Sequence, residues 1–500
     1  MQDALLGIVS TLNTYLSNYI LIIMLIGCGL FFSIRTKFVQ FRCFSEGWKR
    51  VFGGFSLSGG KHRSGMSSFQ ALATAVAGQV GTGNIVGASG AILVGGPGAI
   101  FWMWIIALFG MATNYAEAVL AQKTRVVDPD GTVHGGPVYY IRAAFKGNGG
   151  RFLAGFFSVS IILALGFMGC MVQSNSIAST MNTAFSIPVW LMGVIIVVLA
   201  GVVFIGGLQT LASVTEKIVP VMALLYILGS LILLVLNFHN VPAAFGLIFE
   251  CAFNPQAQFA GIGFGIFAAM TQGAKRGLFS NEAGMGSTPH AHAMANVKDP
   301  HEQGTVAMMG VFVDTIVVVT MTALVVISVL YCGDGQLANA YAQVAAGTNA
   351  DPAAIAASVG LDKTNMAQTA FGAFFGGTFG NIFVAVCLLL FAFSTILSWN
   401  LYAKINVQYL FHNSKVAVRV FQIVALVFIF LGSIAENDLV WELTDFFNNI
   451  MVIPNVIGLI GMSGAVAACA LAHRHGEQVE VEPLEATVDE ARVNAEKAER

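Results

Sequence analysis

The sequence predicts an all-α protein that crosses a membrane many times. Of its 500 residues, 56% are hydrophobic and only 10% are charged, whereas a soluble domain carries about a quarter charged residues. The apolar residues fall into blocks of about 20, and a helix of that length crosses a bilayer core of about 30 Å. Helices satisfy their own backbone hydrogen bonds in lipid, and the short alternating segments of a membrane β-barrel are not found.

Eleven hydrophobic blocks are predicted to be transmembrane helices. They run over residues 18–34, 67–94, 99–122, 152–173, 187–207, 218–236, 259–295, 306–331, 371–411, 416–433 and 440–472. The seventh block is interrupted, and the ninth is long enough for one tilted helix. The chain is accordingly divided into an N-terminal helix with a basic loop, two groups of five helices and a charged cytoplasmic tail, at residues 1–66, 67–240, 259–472 and 473–500.

The basic residues predict the orientation, because Lys and Arg accumulate in cytoplasmic loops. With the N-terminus outside, the inner loops hold nearly all of them, including Lys275 and Arg276, and only Lys363 falls outside. The external loops instead carry carboxylates: Glu250, Asp334, Asp351, Asp362, Glu436 and Asp438. The sequence therefore predicts a multi-pass protein of a bacterial or archaeal-type cytoplasmic membrane, with a cytoplasmic C-terminus.

Several functional classes do not fit this composition. A net charge of −2 gives no basis for nucleic-acid binding, and the seven cysteines are scattered singly, without metal-site spacing. The carboxylates are isolated rather than clustered at catalytic spacing, so no catalytic residue is assigned. A channel is the less favoured class, because no filter motif or charged pore ring is found. The lipid bilayer is an expected partner, and no obligate protein partner is evident.

The second predicted span contains a glycine-rich interruption, AGQVGTGN, at Ala77–Asn84. Glycine costs a helix about 1 kcal/mol relative to alanine, and unwound backbone is tolerated in a membrane only where it is buried or lines a cavity. A second interruption, at Thr271–Gly284, comes five spans later. Two interrupted spans at matching positions indicate a transporter built from inverted repeats, with its site near mid-membrane.

Close packing is the competing interpretation of these glycines. Single glycines in membrane helices commonly mark such contacts. The Ala77–Asn84 cluster differs, because Gln79, Thr82 and Asn84 add polar groups that need partners in an apolar environment. An unwound binding segment is therefore favoured there.

Several motifs resemble those of the alanine or glycine:cation symporter family, within the amino acid–polyamine–cation superfamily. They are GQVGTGNIVG at 78–87, GGPGAIFWMW at 95–104, GGPVYYI at 135–141, TQGAKRGLFSNEAGMGSTPHAHA at 271–293 and FAFSTILSWNLY at 391–402. The resemblance implies a LeuT-type fold of five-plus-five inverted repeats after one extra N-terminal helix. It also implies that a small amino acid such as alanine or glycine is imported with a sodium ion (Na⁺).

The resemblance further implies a substrate site between two unwound segments, Gly78–Asn84 and Thr271–Gly273. The backbone amides of Gly81, Thr82 and Gly83 are expected at the substrate carboxylate, with the Gln79 side chain reaching the substrate and Asn84 in the same segment. The opposite wall is expected to consist of Phe267, Thr271, Gln272 and Gly273.

The ninth span supplies the hydroxyls of Ser394 and Thr395. The resemblance implies that they bind Na⁺ together with the backbone carbonyls of Ala77 and Val80. Without the resemblance, a hydroxyl in a membrane helix commonly bonds the carbonyl four residues earlier. Trp399 is expected either to pack in the core or to limit the size of the substrate pocket.

Ionisable residues inside membrane spans are candidates for function. Asp314 lies in the middle of the eighth span without an obvious partner in its own turn, and it serves either a structural role or ion coupling. In a proton-coupled carrier of the same fold, the nearest alternative, Asp314 would be the relay. Glu282 is expected beside Lys275 and Arg276 near the inner face, either as a gating network or as an inert ion pair.

Overall fold

The computed structural model describes residues 2–53, 66–127, 133–253, 265–338 and 352–474. The helices in these ranges are α1 (Leu6–Arg35), α2 (Val39–Arg42), α3 (Phe44–Phe52), α4 (Ser68–Gln79), α5 (Gly83–Gly95), α6 (Gly98–Thr124), α7 (Pro137–Ala144), α8 (Gly147–Phe185), α9 (Val189–Leu236), α10 (Phe238–Phe253), α11 (Gly265–Asn281), α12 (Pro289–Ala293), α13 (Pro300–Leu330), α14 (Pro352–Ser358), α15 (Met366–Phe375), α16 (Gly377–Leu410), α17 (Lys415–Ile434), α18 (Asn437–Gly461) and α19 (Ser463–Arg474). A short antiparallel hairpin pairs β1 (Val126–Val127) with β2 (Val133–His134).

Eight of the described helices are long and apolar enough to cross a bilayer: α1, α6, α8, α9, α13, α16, α17 and α18. One of them, α9, is two helices that meet at Gly207, whose φ of 71° and ψ of −162° lie outside the helical region. Glycine adopts a positive φ without the steric cost that a Cβ atom imposes. The junction corresponds to the sequence boundary predicted between spans five and six.

The first predicted interruption is present. Helix α4 ends at Gln79, and the chain leaves helical geometry at Val80, which has φ −78° and ψ 91°. A wide π-helical turn at Gly83–Gly87 then starts α5. Both half-helices are almost completely buried, so the break lies inside the bundle, as expected for unwound backbone in a membrane protein.

The second break lies at the end of the predicted interruption, Thr271–Gly284, and not at Thr271–Gly273. Thr271–Gly273 is regular helix within α11, and the chain leaves the helix only at Glu282, which has a positive φ of 59°. The prediction that Thr271–Gly273 is unwound was therefore wrong. A Cβ atom on Gly273 would lie 2.6 Å from the Ala99 carbonyl oxygen. Gly273 thus permits close packing of α11 on α6 rather than a break.

Several predicted span edges were also wrong: the first span starts before residue 18, at Leu6, and the fourth continues past residue 173 to Phe185. The ninth span does not begin at Phe371, because α15 ends at Phe375 and α16 begins after Gly376. The last predicted span does not continue to residue 472, because α18 ends at Gly461 and α19 is a separate helix. Residues 54–65, 259–264 and 475–500, which belong to the predicted basic loop, seventh span and charged tail, lie outside the described residues.

Burial separates central from peripheral helices. The broken helices α4 and α5 are enclosed by other helices, whereas α9 and α17 expose many large apolar side chains. Ile205 on α9 and Val416 on α17 are 89% and 69% exposed. An exposed apolar surface on helices of this length is the pattern expected of a bundle solvated by lipid.

Candidate substrate and ion site

The backbone freed at the first break is held by one side chain of the same segment and one from another helix. The Gly81 amide donates to Asn84 Oδ1 at 2.9 Å, and the Thr82 amide donates to Gln173 Oε1 of α8 at 3.0 Å. A Cβ atom on Gly81 would lie 2.4 Å from Thr395 Oγ1. The break therefore sits directly against α16, and only glycine leaves room for this contact.

Four buried oxygens converge beside this break. Thr395 Oγ1 lies 2.9 Å from the Ala77 carbonyl oxygen and 3.4 Å from that of Val80, and Ser394 Oγ lies 3.5 Å from the Ala77 oxygen. Both hydroxyls also lie near the Phe391 carbonyl of their own helix, at 2.9 and 3.0 Å. Each hydroxyl has one proton to donate, so the cluster holds more oxygen lone pairs than protons. Such an oxygen-rich pocket suits a hard cation.

The second break is held by a carboxylate of α6. Glu117 accepts hydrogen bonds from the backbone amides of Gly284 and Gly286, at 3.3 and 3.0 Å. Its Oε1 also accepts from the Asn455 amide of α18 at 2.7 Å. Glu117 therefore holds two backbone amides of an unwound segment whose own backbone bonds include only turn bonds such as Met285 N–H to the Glu282 carbonyl at 3.0 Å.

Glu282 opens the second break and lies beside the first. Its two carboxylate oxygens accept hydrogen bonds from the Trp399 indole and the Ser287 hydroxyl. A Cβ atom on Gly78 would lie 3.5 Å from Glu282 Oε1. Within the described residues Glu282 forms no ion pair, so the prediction that it lies beside Lys275 and Arg276 was wrong.

Asp314 joins the two broken helices. Its carboxylate accepts from Asn84 of α5 at 2.6 Å, from Ser280 of α11 at 2.8 Å and from Thr315 at 2.8 Å. The expectation that it lacks a partner in its own turn was wrong, because Thr315 is the adjacent residue. A π-helical stretch carries both residues, and such turns are frequent at functional sites.

Gln79 also reaches across to the second broken helix. Its amide nitrogen donates to the Asn281 carbonyl at 2.7 Å, where α11 ends. The side chain is 2% exposed. Gln79 therefore connects the end of α4 to the end of α11, and both breaks face one buried region.

Aromatic rings close one side of this region. The Trp399 and Phe279 rings meet edge to face at 5.8 Å, and Phe279 contacts Trp441 at 5.0 Å between ring centroids. A Cβ atom on Gly169 would lie 2.4 Å from the Trp399 ring. The rings of Trp399, Phe279 and Trp441 therefore form one closely packed aromatic wall beside the breaks.

An ion cluster connects α11 to α18. The Arg276 guanidinium bonds both Asp445 oxygens at 3.1 and 3.0 Å, and Lys275 Nζ lies 2.7 Å from the same carboxylate. Arg276 also lies 4.6 Å from the centroid of the Trp441 ring. The arrangement combines a bidentate ion pair with a cation–π contact.

This cluster lies on the side of the protein that holds Lys363. Lys363 Nζ is 5.4 Å from the Trp441 ring and 2.9 Å from Asp438. Burial lowers the pKa of the Lys363 ammonium, and the Asp438 carboxylate opposes that shift. Lys275 and Arg276 were predicted on the opposite side from Lys363, and that prediction was wrong.

Comparison with known proteins identifies the family. The model of the sodium:alanine symporter family matches residues 2–485. The chain belongs to the sodium:alanine symporter family. The sodium/alanine symporter AgcS of Methanococcus maripaludis is 37% identical, over 92% of this chain and 96% of its own. YrbD of Bacillus subtilis, named as a sodium/proton-dependent alanine carrier, is 38% identical over 90% of this chain and 89% of its own. The solved structure of a manganese transporter of Eremococcus coleocola aligns with 86% of this chain and with 91% of its own chain, with a TM-score of 0.48 and 15% sequence identity.

Membership in the sodium:alanine symporter family makes this protein a transporter of the membrane and not an enzyme. The resemblance stated from the motifs is thereby confirmed. The family members named above are bacterial and archaeal, and the long apolar helices of this chain are those of a multi-pass membrane protein.

Not every residue predicted for the site of this symporter-family protein lies at the breaks. Phe267 contacts the Tyr19 ring of α1 at 6.0 Å between centroids. Gln272 packs on Gly95 at the end of α5. Gly273 faces α6, and Thr271 is buried in regular helix beside it. The predicted opposite wall therefore lies along α11, away from its unwound end.

Sequence reasoning did not assign three residues that the structure places at the breaks: Gln173, Phe279 and Ser280. Gln173 carried a usable signal, because an amide inside an apolar span needs a buried partner. Phe279 and Ser280 carried none, since their positions depend on where α11 ends.

Proposed function

We propose that this protein imports a small neutral amino acid, alanine or glycine, together with Na⁺ by alternating access. The observation that carries the proposal is the convergence of the Ala77 and Val80 carbonyls with the Ser394 and Thr395 hydroxyls at a helix break. Na⁺ would occupy this oxygen cluster as a co-transported ion. The family and the name of AgcS support both the ion and the substrate class.

The amino acid would lie between the two breaks. Thr82 Oγ1 is buried without a hydrogen-bond partner among the described residues, and the amides of the Gly81–Gly83 segment lie at the start of a half-helix. A helix N-terminus attracts a carboxylate, so the substrate carboxylate would lie here and replace Asn84 Oδ1 and Gln173 Oε1 as acceptors of the Gly81 and Thr82 amides. Glu282 would face the substrate ammonium, and Trp399 would limit the side chain to a small one.

The wider architecture that we propose is a pair of inverted five-helix repeats after α1. The chain would cross the membrane eleven times when α9 is counted as two helices and the broken pairs α4–α5 and α11–α12 are each counted as one. The broken pairs α4–α5 and α11–α12 begin the two repeats, at residues 67–240 and 259–472. We place the N-terminus outside and the C-terminus in the cytoplasm, because the loops at 35–53 and 142–151 are rich in Lys and Arg.

The transport cycle follows from this arrangement. Na⁺ and the amino acid bind from outside and fix the two unwound segments, which favours closure of the outer path. The broken helices and their partners α6 and α13 then rock against the remaining helices and open the inner path. The sodium gradient supplies the driving force, and the protein forms no covalent intermediate.

Thr395→Ala tests the ion site. Uptake of labelled alanine is measured in proteoliposomes that contain the purified protein, under an inward Na⁺ gradient at fixed pH. The reference measurement replaces Na⁺ with choline. Loss of one ligand oxygen is expected to raise the half-saturating Na⁺ concentration about tenfold. The matched control is Thr183→Ala, whose exposed hydroxyl bonds only its own helix at Ser179. Equal Na⁺ dependence in both variants would contradict the assigned ion site.

A proton-coupled carrier is the second candidate function. It is favoured by the carboxyl of Asp314, which is buried and connects both broken helices, and by the name of YrbD. The same liposomes distinguish the two candidates. Uptake driven by a pH gradient in choline buffer assigns the coupling to protons and to Asp314. Uptake that requires Na⁺ at constant pH assigns it to the oxygen cluster.

Asp445→Asn tests whether the ion cluster between α11 and α18 gates the outer path. The substitution removes the charge that pairs with both Arg276 and Lys275 and leaves two cations close together. Breaking a buried pair is costly, and we expect the initial uptake rate to fall about tenfold. In the control Asp438→Asn, the side chain is 80% exposed and pairs with Lys363, so a change within about twofold is expected. Equal rates in the two variants would argue against a gate.

A further inference from the structure

A cluster of metal-ligating side chains lies apart from the substrate and ion site. It forms where α3, the start of α13 and the C-terminal α19 meet. Arg42 of α2 ties these elements together by donating to the Ala470 carbonyl of α19 at 3.1 Å. Asp299 caps α13 by accepting from the His301 amide at 2.9 Å. The side chains that converge here come from three separate parts of the chain, at residues 42–46, 299–301 and 470–473.

Four potential ligand atoms share this place. The sulfur of Cys43, a carboxylate oxygen of Glu46 and a ring nitrogen of His301 all lie within 4.8 Å of one another. His301 Nε2 is 3.5 Å from Glu46 Oε2, and His473 Nε2 is 3.1 Å from the same oxygen. Ligand atoms about 2.0–2.3 Å from a tetrahedral ion are about 3.3–3.8 Å apart. The two Glu46–histidine separations lie near this range, and binding one ion requires the Cys43 sulfur to approach and the two stacked imidazoles to turn toward it.

The chemistry of the four groups is that of a zinc site. A thiolate, two imidazoles and a carboxylate are the ligand types that Zn²⁺ uses in proteins, whereas Mg²⁺ and Ca²⁺ prefer oxygen alone. His301 Nδ1 hydrogen-bonds the Tyr115 hydroxyl at 2.7 Å, which orients the ring as outer partners of zinc ligands do. The other nitrogen, Nε2, is buried without a hydrogen-bond partner among the described residues.

Burial supports a formed site rather than a chance surface group. Cys43 and His301 are 4% and 0% exposed. Glu46 and His473 are partly exposed, at 27% and 34% of their side chains, so an ion can enter from the aqueous side. The imidazoles of His301 and His473 stack at 3.8 Å between centroids, which places α19 directly on the start of α13.

We propose that Cys43, Glu46, His301 and His473 bind one Zn²⁺ ion, which fastens the C-terminal α19 to α3 and α13. Binding releases the thiol proton of Cys43, because the thiolate is the ligand form. The site is separate from the proposed transport function and does not depend on it. Without an ion, the same residues form only an ion pair between Glu46 and the two histidines.

Cobalt binding to the purified full-length protein tests this proposal. Any purification tag is removed from the protein, and bound metal is stripped with a chelator. Co²⁺ is then titrated as a spectroscopic substitute for Zn²⁺. One Co²⁺ per chain is expected, with the intense visible bands of a tetrahedral site and a sulfur-to-cobalt charge-transfer band. Added Zn²⁺ should abolish both signals. Absence of stoichiometric Co²⁺ binding would overturn the proposal.

Two variants assign the ligands. Cys43→Ser should remove the charge-transfer band, and His473→Gln should weaken Co²⁺ binding at least tenfold. His473→Gln changes a partly exposed side chain, so this variant keeps the test decisive if Cys43→Ser fails to fold. The control is His412→Asn, an exposed histidine outside the cluster whose positive φ of 50° asparagine tolerates. Wild-type spectra and affinity in both ligand variants would overturn the assignment.

Discussion

Gly81→Ala is expected to reduce sodium-driven alanine uptake about 10- to 100-fold. The added Cβ atom would lie 2.4 Å from Thr395 Oγ1 and 3.1 Å from Gln173 Oε1. Either the unwound segment or α16 must move, at an overpacking cost of about 1–3 kcal/mol. The movement separates the Val80 carbonyl from the Thr395 hydroxyl, which are 3.4 Å apart. The initial uptake rate in proteoliposomes measures the effect.

Gly87→Ala is the matched control for this prediction. Gly87 belongs to the same broken span, but the nearest atom to its added Cβ is 3.8 Å away, on the Trp441 ring. Ordinary van der Waals contact of this kind costs little, so near-normal uptake is expected. The half-saturating Na⁺ concentration should rise in Gly81→Ala and stay constant in Gly87→Ala. Normal uptake in Gly81→Ala would show that the first break does not bind the transported species.

Glu282→Gln is expected to lower uptake about 100-fold while the protein folds normally. Within the described residues Glu282 has two hydrogen-bond donors, Trp399 and Ser287, but no cationic partner. The glutamine oxygen can still accept from Trp399, and its amide can donate to the Ser287 hydroxyl. The substitution therefore removes the charge and keeps the geometry. A carboxylate facing a substrate ammonium in a dry site contributes about 3 kcal/mol, equivalent to a 100-fold effect.

Substrate binding separates this charge effect from misfolding. The concentration of alanine for half-maximal uptake should rise in Glu282→Gln, while elution of the purified variant in gel filtration stays unchanged. Glu302→Gln is the control, because Glu302 pairs at the surface with Arg50 at 3.3 Å, and surface pairs contribute little. An unchanged alanine requirement in Glu282→Gln would place the substrate ammonium elsewhere.

The first break could be predicted from the sequence because its signal is local. Three glycines and three polar residues within eight positions cannot form a stable apolar helix, whatever packs around them. The second break lacked such a signal. Gly273, Gly277 and Gly284 all lie within one stretch of sequence, and only the close approach of α6 to Gly273 distinguishes a packing glycine from one in a break. The predicted wall on α11 lies away from the second break for the same reason.

The ionisable residues show a similar division. The sequence alone shows that four ionisable residues lie in apolar regions, where such residues are unusual: Lys275, Arg276, Glu282 and Asp314. Their partners could not be predicted, because Asp445 is 169 residues from Arg276 in the sequence and Trp399 is 117 residues from Glu282. The basic-residue count likewise placed Lys275 and Arg276 on the side opposite to Lys363, whereas Arg276 and Lys363 contact the same Trp441 ring.

By itself the sequence determined the class of this protein, a helical membrane transporter, together with the position of its first helix break. Hydropathy and glycine content fix these properties because they are sums over neighbouring residues. The tertiary structure alone decided which oxygens and carboxylates meet around the breaks, where the second break falls and which surface cluster could hold a metal. Such contacts join residues from distant parts of the chain, and their energies depend on distances that only the packed helices set.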